Sequence, residues 1–216
     1  PNNPRINHDK TARKRRIDTN ADPAVIKYEN PVGTKQELFE RDLSFNHVQD
    51  AIASQIFEKY GVIQTPEEKE LGFWYTVWKH PEIPIYRVEG DKKDAALTSQ
   101  GRVVISGQGV NAGYRSKDQH DVKLPERILH PQLAMFAVPG REIRYAFDAD
   151  DNANAILNVR RDLVREAELL EARGNIVYNI AWKPEQGKGV DDLIKISGPL
   201  AFEKADLNAK PIESTA

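Results

Sequence analysis

Carboxylate side chains follow two of the predicted strands, at a spacing that suits binding of a metal ion. Asp148 and Asp150 come directly after one predicted strand, and Glu89 follows another. Residues two apart on a strand point to the same side, so Asp148 and Asp150 can share or bridge one ion. Mg²⁺ prefers oxygen ligands and is usually held by one or two carboxylates. We therefore expect Mg²⁺ or Mn²⁺ between Asp148 and Asp150, with Glu89 as a third ligand or a general acid/base.

An alternation of strands and helices is predicted to position these acids. The predicted strands are 83–88, 102–105, 142–147 and 176–182, and the predicted helices are 90–99, 152–173 and one that begins at 191. This alternation is typical of an α/β fold, a mostly parallel sheet with helices on its faces. The carboxyl ends of parallel strands meet at one edge of the sheet, where such folds place their sites. The acids should therefore meet at that edge.

Four regions are predicted along the chain: a basic, extended lead-in (1–35), an N-terminal helical and aromatic extension (36–80), the α/β domain (81–202) and a C-terminal tail (203–216). In the extension, Phe73–Trp78 is rich in strand formers and is more typical of packing than of base stacking. Residues 114–140 contain three prolines and are predicted to be an irregular insertion.

The composition is that of a globular protein outside the membrane. The 216 residues are 39% hydrophobic and 30% charged, and none is cysteine. Disulfides and thiolate zinc sites are therefore excluded. No apolar run approaches the ~20 residues that a membrane-spanning helix needs, and no signal peptide is visible. We expect a cytoplasmic protein with no membrane partner.

The net charge of the chain is −2, but charge is unevenly distributed, and a basic segment lies at the N-terminus. Residues 1–20 hold six basic and two acidic side chains, and the densest cluster is formed by Arg13, Lys14, Arg15 and Arg16. Such arms bind phosphates by releasing condensed counterions, which predicts contact with nucleic acid. A solvated tail is the alternative.

The order of these motifs resembles the Toprim fold, which is shared by primases, topoisomerases and some nucleases. Glu89-Gly90 after one strand and Asp148-x-Asp150 after a later one look like its two signature motifs. Residues 27–200 resemble, more specifically, the Toprim-like domain of cyanobacterial plasmid replication proteins. The motifs that carry this resemblance include Lys27-Tyr28-Glu29-Asn30-Pro31, Phe73-Trp74, Glu89-Gly90-x-Lys92-Lys93, Gly113-Tyr114, Gly140-Arg141 and Gly187-Lys188-Gly189-Val190-Asp191-Asp192.

The resemblance implies Mg²⁺-dependent nucleotidyl transfer, as in the primase core of a plasmid or phage replication protein. It implies Glu89 as the catalytic acid/base and Asp148 and Asp150 as metal ligands. Lys92, Lys93 and Lys188 would bind phosphate. The expected partners are DNA and/or RNA and nucleoside triphosphates, and a fused or associated helicase is compatible with them.

Other interpretations stay open at this point. The acids at 148–151 could cap the helix that begins near Asn152, and the lysines could be ordinary solvated side chains. The same acids could serve a Toprim nuclease that uses water, or the fold could be a non-catalytic DNA-binding module. Asp91 stands where the motif is expected to have a small neutral residue. Because a zinc ribbon is absent, template choice would rest on the basic arm or another domain.

Overall fold

A computed structural model of the chain describes residues 50–107, 109–118 and 120–212. The five strands of its main sheet are β1 (Ile85–Glu89), β2 (Val103–Gly107), β5 (Glu142–Tyr145), β6 (Ile176–Asn179) and β7 (Lys210–Pro211). Their order in the sheet is β2-β1-β5-β6-β7. The first four run parallel to one another, and β7 pairs antiparallel with β6. The predicted α/β architecture with a mostly parallel sheet is confirmed.

Helices cover both faces of this sheet because its strands are apolar on both sides. The helices are α1 (Asp50–Lys59), α2 (Pro66–Leu71), α3 (Phe73–Lys79), α4 (Asp91–Thr98), α5 (Pro131–Phe136), α6 (Ala153–Glu171), α7 (Val190–Ser197) and α8 (Pro199–Leu207). One core joins Ile85 and Ile143 of the sheet to α1, α3, α5 and α6. A second core joins Tyr86 and Val88 to α4, α7 and α8.

Helix α6 follows its predicted course closely. Asn152 is its N-cap, and its side-chain oxygen accepts hydrogen bonds from the backbone N–H groups of residues 154 and 155. Leu163, Ala167 and Leu170 are buried on the predicted apolar face. The side chain of Ile156, in the first turn, is 46% exposed, so the contact with the sheet begins further along the helix.

The aromatic run at 73–78 is helix α3, and the prediction of a strand there is wrong. Phe73, Trp74 and Tyr75 are all buried, so the interpretation as packing is confirmed. The buried Arg141 guanidinium donates to the carbonyl oxygens of Val77 (2.7 Å) and Trp78 (3.2 Å) and thereby binds the end of the helix. Tertiary contacts of this kind override the strand preference of aromatic residues, which is weak and depends on context.

The predicted irregular insertion is also wrong, because residues 114–140 form a hairpin and a helix. Strands β3 (Tyr114–Lys117) and β4 (Lys123–Leu129) pair antiparallel, and α5 follows them. The Asp118 carboxylate accepts hydrogen bonds from the backbone N–H groups of His120 and Val122 and so closes the turn. Pro125 is tolerated because β4 has a single partner strand, which leaves its other edge without a ladder.

The predicted C-terminal tail begins inside helix α8, and residues up to 212 belong to the fold. Phe202 is fully buried, β7 extends the main sheet, and the side chain of Ile212 is only 9% exposed. Asp206 binds α8 to the sheet, since its carboxylate accepts from the Tyr86 hydroxyl (2.6 Å) and from Arg144 (2.8 Å). These contacts join distant parts of the chain, so a local pattern could not predict them.

The predicted basic lead-in lies outside the residues that the structure describes. Of the predicted N-terminal extension, residues 50–80 are described and form α1, α2 and α3. In the described part of the chain, no helix combines the length and the apolar character that crossing a bilayer requires.

Candidate active site

A cleft of about 390 Å³ opens at the carboxyl ends of β1 and β5, two adjacent parallel strands. Glu89 is the last residue of β1, and Asp148 follows the end of β5 by three residues. The side chains and glycines that line the cleft are Glu89, Gly90, Asp91, Lys92, Lys93, Asp148, Lys188, Gly189, Asp191 and Asp192. Five of the six predicted residues within the described part of the chain therefore line one cleft, and Asp150 is the exception.

Glu89 lies half-buried in the cleft, beside charges of both signs. Burial raises the pKa of its carboxyl group, and the negative charge of Asp148 raises it further. The ammonium groups of Lys93 and Lys188 act in the opposite direction, but the pKa remains above its ordinary value. A carboxylate in this environment accepts a proton more readily than one in water.

Asp148 forms an ion pair with Lys93, whose Nζ is 2.5 Å from Asp148 Oδ1. Both side chains are largely shielded from solvent, with 24% of Asp148 and 16% of Lys93 exposed. The contact lacks the angles of a hydrogen bond, and among the described residues Oδ1 has no hydrogen-bond donor. This buried carboxylate oxygen is therefore held by charge alone.

Asp150 lies just outside the cleft lining and has a part in local structure. Its Oδ1 accepts a hydrogen bond from the backbone N–H of Asn152 (2.9 Å), and its Oδ2 is 3.7 Å from Lys188 Nζ. The hydrogen bond from Asn152, together with the charge of Lys188, lowers the pKa of Asp150. The N-cap of α6 is thus Asn152 and not one of the acids at 148–151, so the capping interpretation of these acids is wrong, while Asp150 binds the backbone N–H of the cap residue.

The loop before α7 also lines the cleft. The backbone N–H of Ala149 donates to the carbonyl oxygen of Lys188 (2.8 Å), which holds this loop against the loop after β5. Asp191 and Asp192, in the first turn of α7, bring two more carboxylates to the cleft. The sequence analysis named both acids in the Gly187–Asp192 motif but did not count them among the predicted site residues.

Two glycines in this loop allow close packing. A Cβ on Gly189 would lie 2.6 Å from Lys93 Cε and 2.5 Å from Asp191 Oδ1, so a larger residue would displace the lysine. Gly187 has a φ of 142°, and a Cβ there would lie 2.4 Å from the backbone nitrogen of Leu193. The loop can therefore approach both α4 and α7 only because these positions lack side chains.

Lys92 and Asp91 are exposed residues in the first turn of α4, and both line the cleft. Gly90 and Gly189 are the N-caps of α4 and α7, and neither has a side chain that could cap the first turn. The predicted phosphate-binding residues Arg13, Arg15 and Arg16 lie outside the described residues.

A divalent cation in the cleft would have to be held by the carboxylates that line it. Among the described residues, no group of three or more acidic or histidine side chains is placed to hold a metal ion. Glu89, Asp148 and Asp150 therefore do not form a ready three-carboxylate site. Mg²⁺ usually needs only one or two carboxylates beside water and substrate phosphate. Glu89 and Asp148 are the two proposed ligands that line the cleft, and Asp148 Oδ1 lies beside the cationic group of Lys93.

Comparison with known proteins places the chain among relatives without an assigned activity. Residues 73–201 match the sequence model of DUF3854, described as a domain of unknown function. A protein of Picosynechococcus sp. strain PCC 7002, described as uncharacterized, is 34% identical over 193 residues, which are 88% of this chain and 18% of that protein. The chain thus spans less than a fifth of the length of this relative. No solved structure matches the chain.

Proposed function

We propose, from the premise that this chain belongs to the DUF3854 family, that its cleft performs Mg²⁺-dependent phosphodiester chemistry on nucleic acid. The specific reaction that we propose is nucleotidyl transfer by a primase-type Toprim core. The observation that carries the proposal is the meeting of Glu89 and Asp148 with three lysines at the carboxyl edge of a parallel sheet. The strand order and the place of each acid after its strand are compatible with the Toprim resemblance.

The charge of the cleft supports a dependence on a divalent cation. Its lining carries five carboxylates and three ammonium groups, which leaves two negative charges when all are ionised. A phosphate group entering such a cleft is repelled unless a cation accompanies it. Asp148 would hold Mg²⁺, with Glu89 as a further ligand or as the acid/base, and Asp150 is the third proposed ligand although it lies outside the cleft lining. Bound Mg²⁺ would neutralise phosphate oxygens and make a nearby hydroxyl group more acidic.

The side chains of the cleft have separate parts in the proposed reaction. Lys92, Lys93 and Lys188 bind the phosphates of the incoming nucleotide, and the uncapped first turns of α4 and α7 add N–H donors. Glu89 accepts the proton of the attacking 3′-hydroxyl group, for which its raised pKa is suited. A new P–O bond forms at the α-phosphorus, and the bond to pyrophosphate breaks.

Incorporation of labelled nucleotides on primed and unprimed single strands tests this proposal. We expect Glu89→Gln and Asp148→Ala each to lower Mg²⁺-dependent incorporation by about 100-fold or more. Asp150→Ala should have a smaller effect, because its side chain lies outside the cleft lining. Glu168→Gln is the matched control, since this exposed acid lies on α6 away from the cleft.

Two other outcomes would overturn either the reaction or the residues proposed for it. Metal-dependent nicking of a plasmid without incorporation, lost in Asp148→Ala, would identify a nuclease. Incorporation that survives both cleft variants would refute the assignment of Glu89 and Asp148.

A non-catalytic nucleic-acid-binding module is the second candidate, and the ion pairs of the cleft favour it. Asp148 and Asp150 already face Lys93 and Lys188, so part of their charge is balanced without a metal. This candidate predicts DNA binding that weakens with salt and does not depend on Glu89. Turnover that is lost in Glu89→Gln at unchanged DNA affinity would exclude it.

The partners that we propose are DNA and/or RNA and nucleoside triphosphates. Arg13, Arg15 and Arg16 are proposed to bind nucleic acid, and a fused or associated helicase would be a further partner. Replacement of the three arginines by glutamine should weaken single-strand binding and reduce its salt dependence, because fewer counterions are then released.

A further inference from the structure

Lys93 is the cation of the cleft that is held most firmly. Its ammonium group lies 2.5 Å from Asp148 Oδ1 and its side chain is 16% exposed, whereas the side chain of Lys188 is 66% exposed. Gly189 packs against its stem so closely that a Cβ there would lie 2.6 Å from Lys93 Cε. Lys92, on the next residue, is exposed and forms no ion pair with any described residue.

Lys93 contacts an oxygen of the carboxylate that is proposed to hold the metal ion. Asp148 Oδ1 is buried and receives no hydrogen bond from the described part of the chain, and the ammonium group of Lys93 is the cation in contact with it. Glu89 is near enough to interact electrostatically with both members of the pair. A divalent cation between Glu89 and Asp148 would meet Lys93 at the same position, and two cations cannot share it because like charges repel.

We propose that Lys93 is a built-in counter-ion that competes with the divalent cation for Asp148, and that cation binding releases Lys93 to the phosphate of the substrate. This inference rests on the proposed function and adds to it a mechanism by which cation and substrate bind together. In the empty cleft the lysine balances the charge of Asp148. Once the cation takes that position, the ammonium group is free to contact phosphate oxygens at the start of α4.

The exchange couples binding of the divalent cation to binding of phosphate, and each raises the affinity for the other. The cation must displace an ion pair in the empty cleft, so its affinity for the protein alone is lowered. Phosphate offers the released ammonium a new partner and therefore raises the affinity for the cation, and by thermodynamic reciprocity the cation raises the affinity for phosphate by the same factor. The cleft would thus bind a free cation more weakly than it binds a cation together with a nucleotide.

Binding of Mn²⁺ to the full chain without nucleotide, followed by calorimetry and by electron paramagnetic resonance, tests the competition. We expect Lys93→Met to bind Mn²⁺ about fivefold or more tightly than the wild type, because no ion pair has to be broken. Lys92→Met is the matched control, since it removes the same charge from the same helix turn without touching Asp148. At about 0.15 M salt its gain should stay near twofold or less.

Binding of inorganic tripolyphosphate gives an independent measurement. In the wild type, Mg²⁺ should strengthen tripolyphosphate binding, and in Lys93→Met this enhancement should fall by about fivefold because the released ammonium is missing. Lys93→Gln serves as a second variant, should the melting temperature of Lys93→Met fall. The exchange predicts the same changes for both.

The remaining outcomes separate this inference from the proposed function. Equal gains of Mn²⁺ affinity in Lys93→Met and Lys92→Met, or a loss in Lys93→Met, would overturn the exchange while Asp148-dependent binding upheld the metal site. If Mn²⁺ binds neither the wild type nor Lys93→Met, or binds Asp148→Ala as it does the wild type, both proposals fall.

Discussion

At the scale of single residues, the cleft combines acids that act in different environments. Glu89 is half-buried beside Asp148, so its ionised form is disfavoured, whereas Asp150 accepts a backbone hydrogen bond that favours its ionised form. The pKa values of two carboxyl groups at one edge of the sheet are thereby shifted in opposite directions. Such separation is a common feature of sites that need both a proton acceptor and a permanent negative charge.

The raised pKa of Glu89 predicts that this residue lowers the stability of the fold. Above its folded-state pKa the group is ionised in both states, and the cost of its burial is fully present. As the pH falls below its unfolded-state pKa, the group is protonated in both states and the cost vanishes. Glu89→Gln should therefore raise the melting temperature by about 1–2 °C at pH 8 and leave it unchanged near pH 3.5.

Scanning calorimetry at the two pH values measures this difference, with Glu168→Gln as the control. A lower melting temperature for Glu89→Gln at pH 8 would show that the ionised carboxylate is instead stabilised by its lysine neighbours.

Alanine at the two glycine positions of the cleft loop is expected to lower the stability of the fold by different amounts. In Gly189→Ala the new methyl group meets side-chain atoms of Lys93 and Asp191, which can shift, and lies 3.5 Å from Asp148 Oδ1, so the free energy of unfolding should fall by no more than about 1 kcal/mol. In Gly187→Ala the methyl group meets the backbone of α7, and residue 187 itself has a positive φ. We therefore expect the free energy of unfolding to fall by about 2–3 kcal/mol. Urea unfolding compares the two, and similar losses would contradict the packing described here.

At the scale of secondary-structure elements, a buried ion pair joins α6 to the strand that ends in Glu89. Arg87 of β1 donates to Glu166 Oε1 (2.9 Å) and to the carbonyl oxygen of Ile105 in β2 (2.6 Å). Glu166 is fully buried, and a Cβ on Gly113 would lie 2.0 Å from its carboxyl carbon. One side chain of α6 thus contacts the sheet and the segment that leads into the hairpin.

Removal of Glu166 should leave the buried guanidinium of Arg87 without its counter-charge. We expect Glu166→Ala to lower the free energy of unfolding by about 3–5 kcal/mol. The exposed neighbour Glu168, replaced by alanine, should change it by no more than about 0.5 kcal/mol. Denaturant titration followed by circular dichroism checks both values, and a loss below 1 kcal/mol for Glu166→Ala would contradict the ion pair.

At the scale of the whole molecule, the last described residues complete the sheet and the second core. Asp206 accepts from Tyr86 and Arg144, while Arg102 lies 3.6 Å from the same carboxylate. Three parts of the chain that are far apart in sequence therefore depend on one acid of α8. The stability of the fold that carries the cleft should depend on these residues even though they lie outside the cleft lining.

A chain that ends at residue 202, the predicted domain boundary, should be strongly destabilised. It loses Asp206 and the buried Ile212, and it leaves Arg144 with fewer partners, so we expect a melting temperature lower by about 10 °C or more. A chain that ends at Ile212 keeps all of these contacts and is the control. Equal melting temperatures for the two chains would show that α8 and β7 contribute little.

The sequence was informative wherever a local pattern determines local structure. The apolar period of α6 and the short apolar strands of the sheet predicted both the fold class and the edge at which Glu89 and Asp148 line one cleft. Strand propensity failed at Phe73–Trp78, since a helix covered on several sides by the core can hold aromatic residues as well as a strand can. Proline content failed at 114–140, because an edge strand tolerates Pro125.

What the amino-acid sequence determined by itself is the set of chemical groups and the strands that carry them to one edge of a parallel sheet. Only the tertiary structure decided which of these groups meet: Lys93 pairs with Asp148, Asp191 and Asp192 join the cleft, and Asp150 lies beside it. The physical reason is that side-chain periodicity sets the direction in which a residue points along its own element. The distance between residues of different elements depends on how closely two loops can pack, and here that depends on glycines at positions 187 and 189.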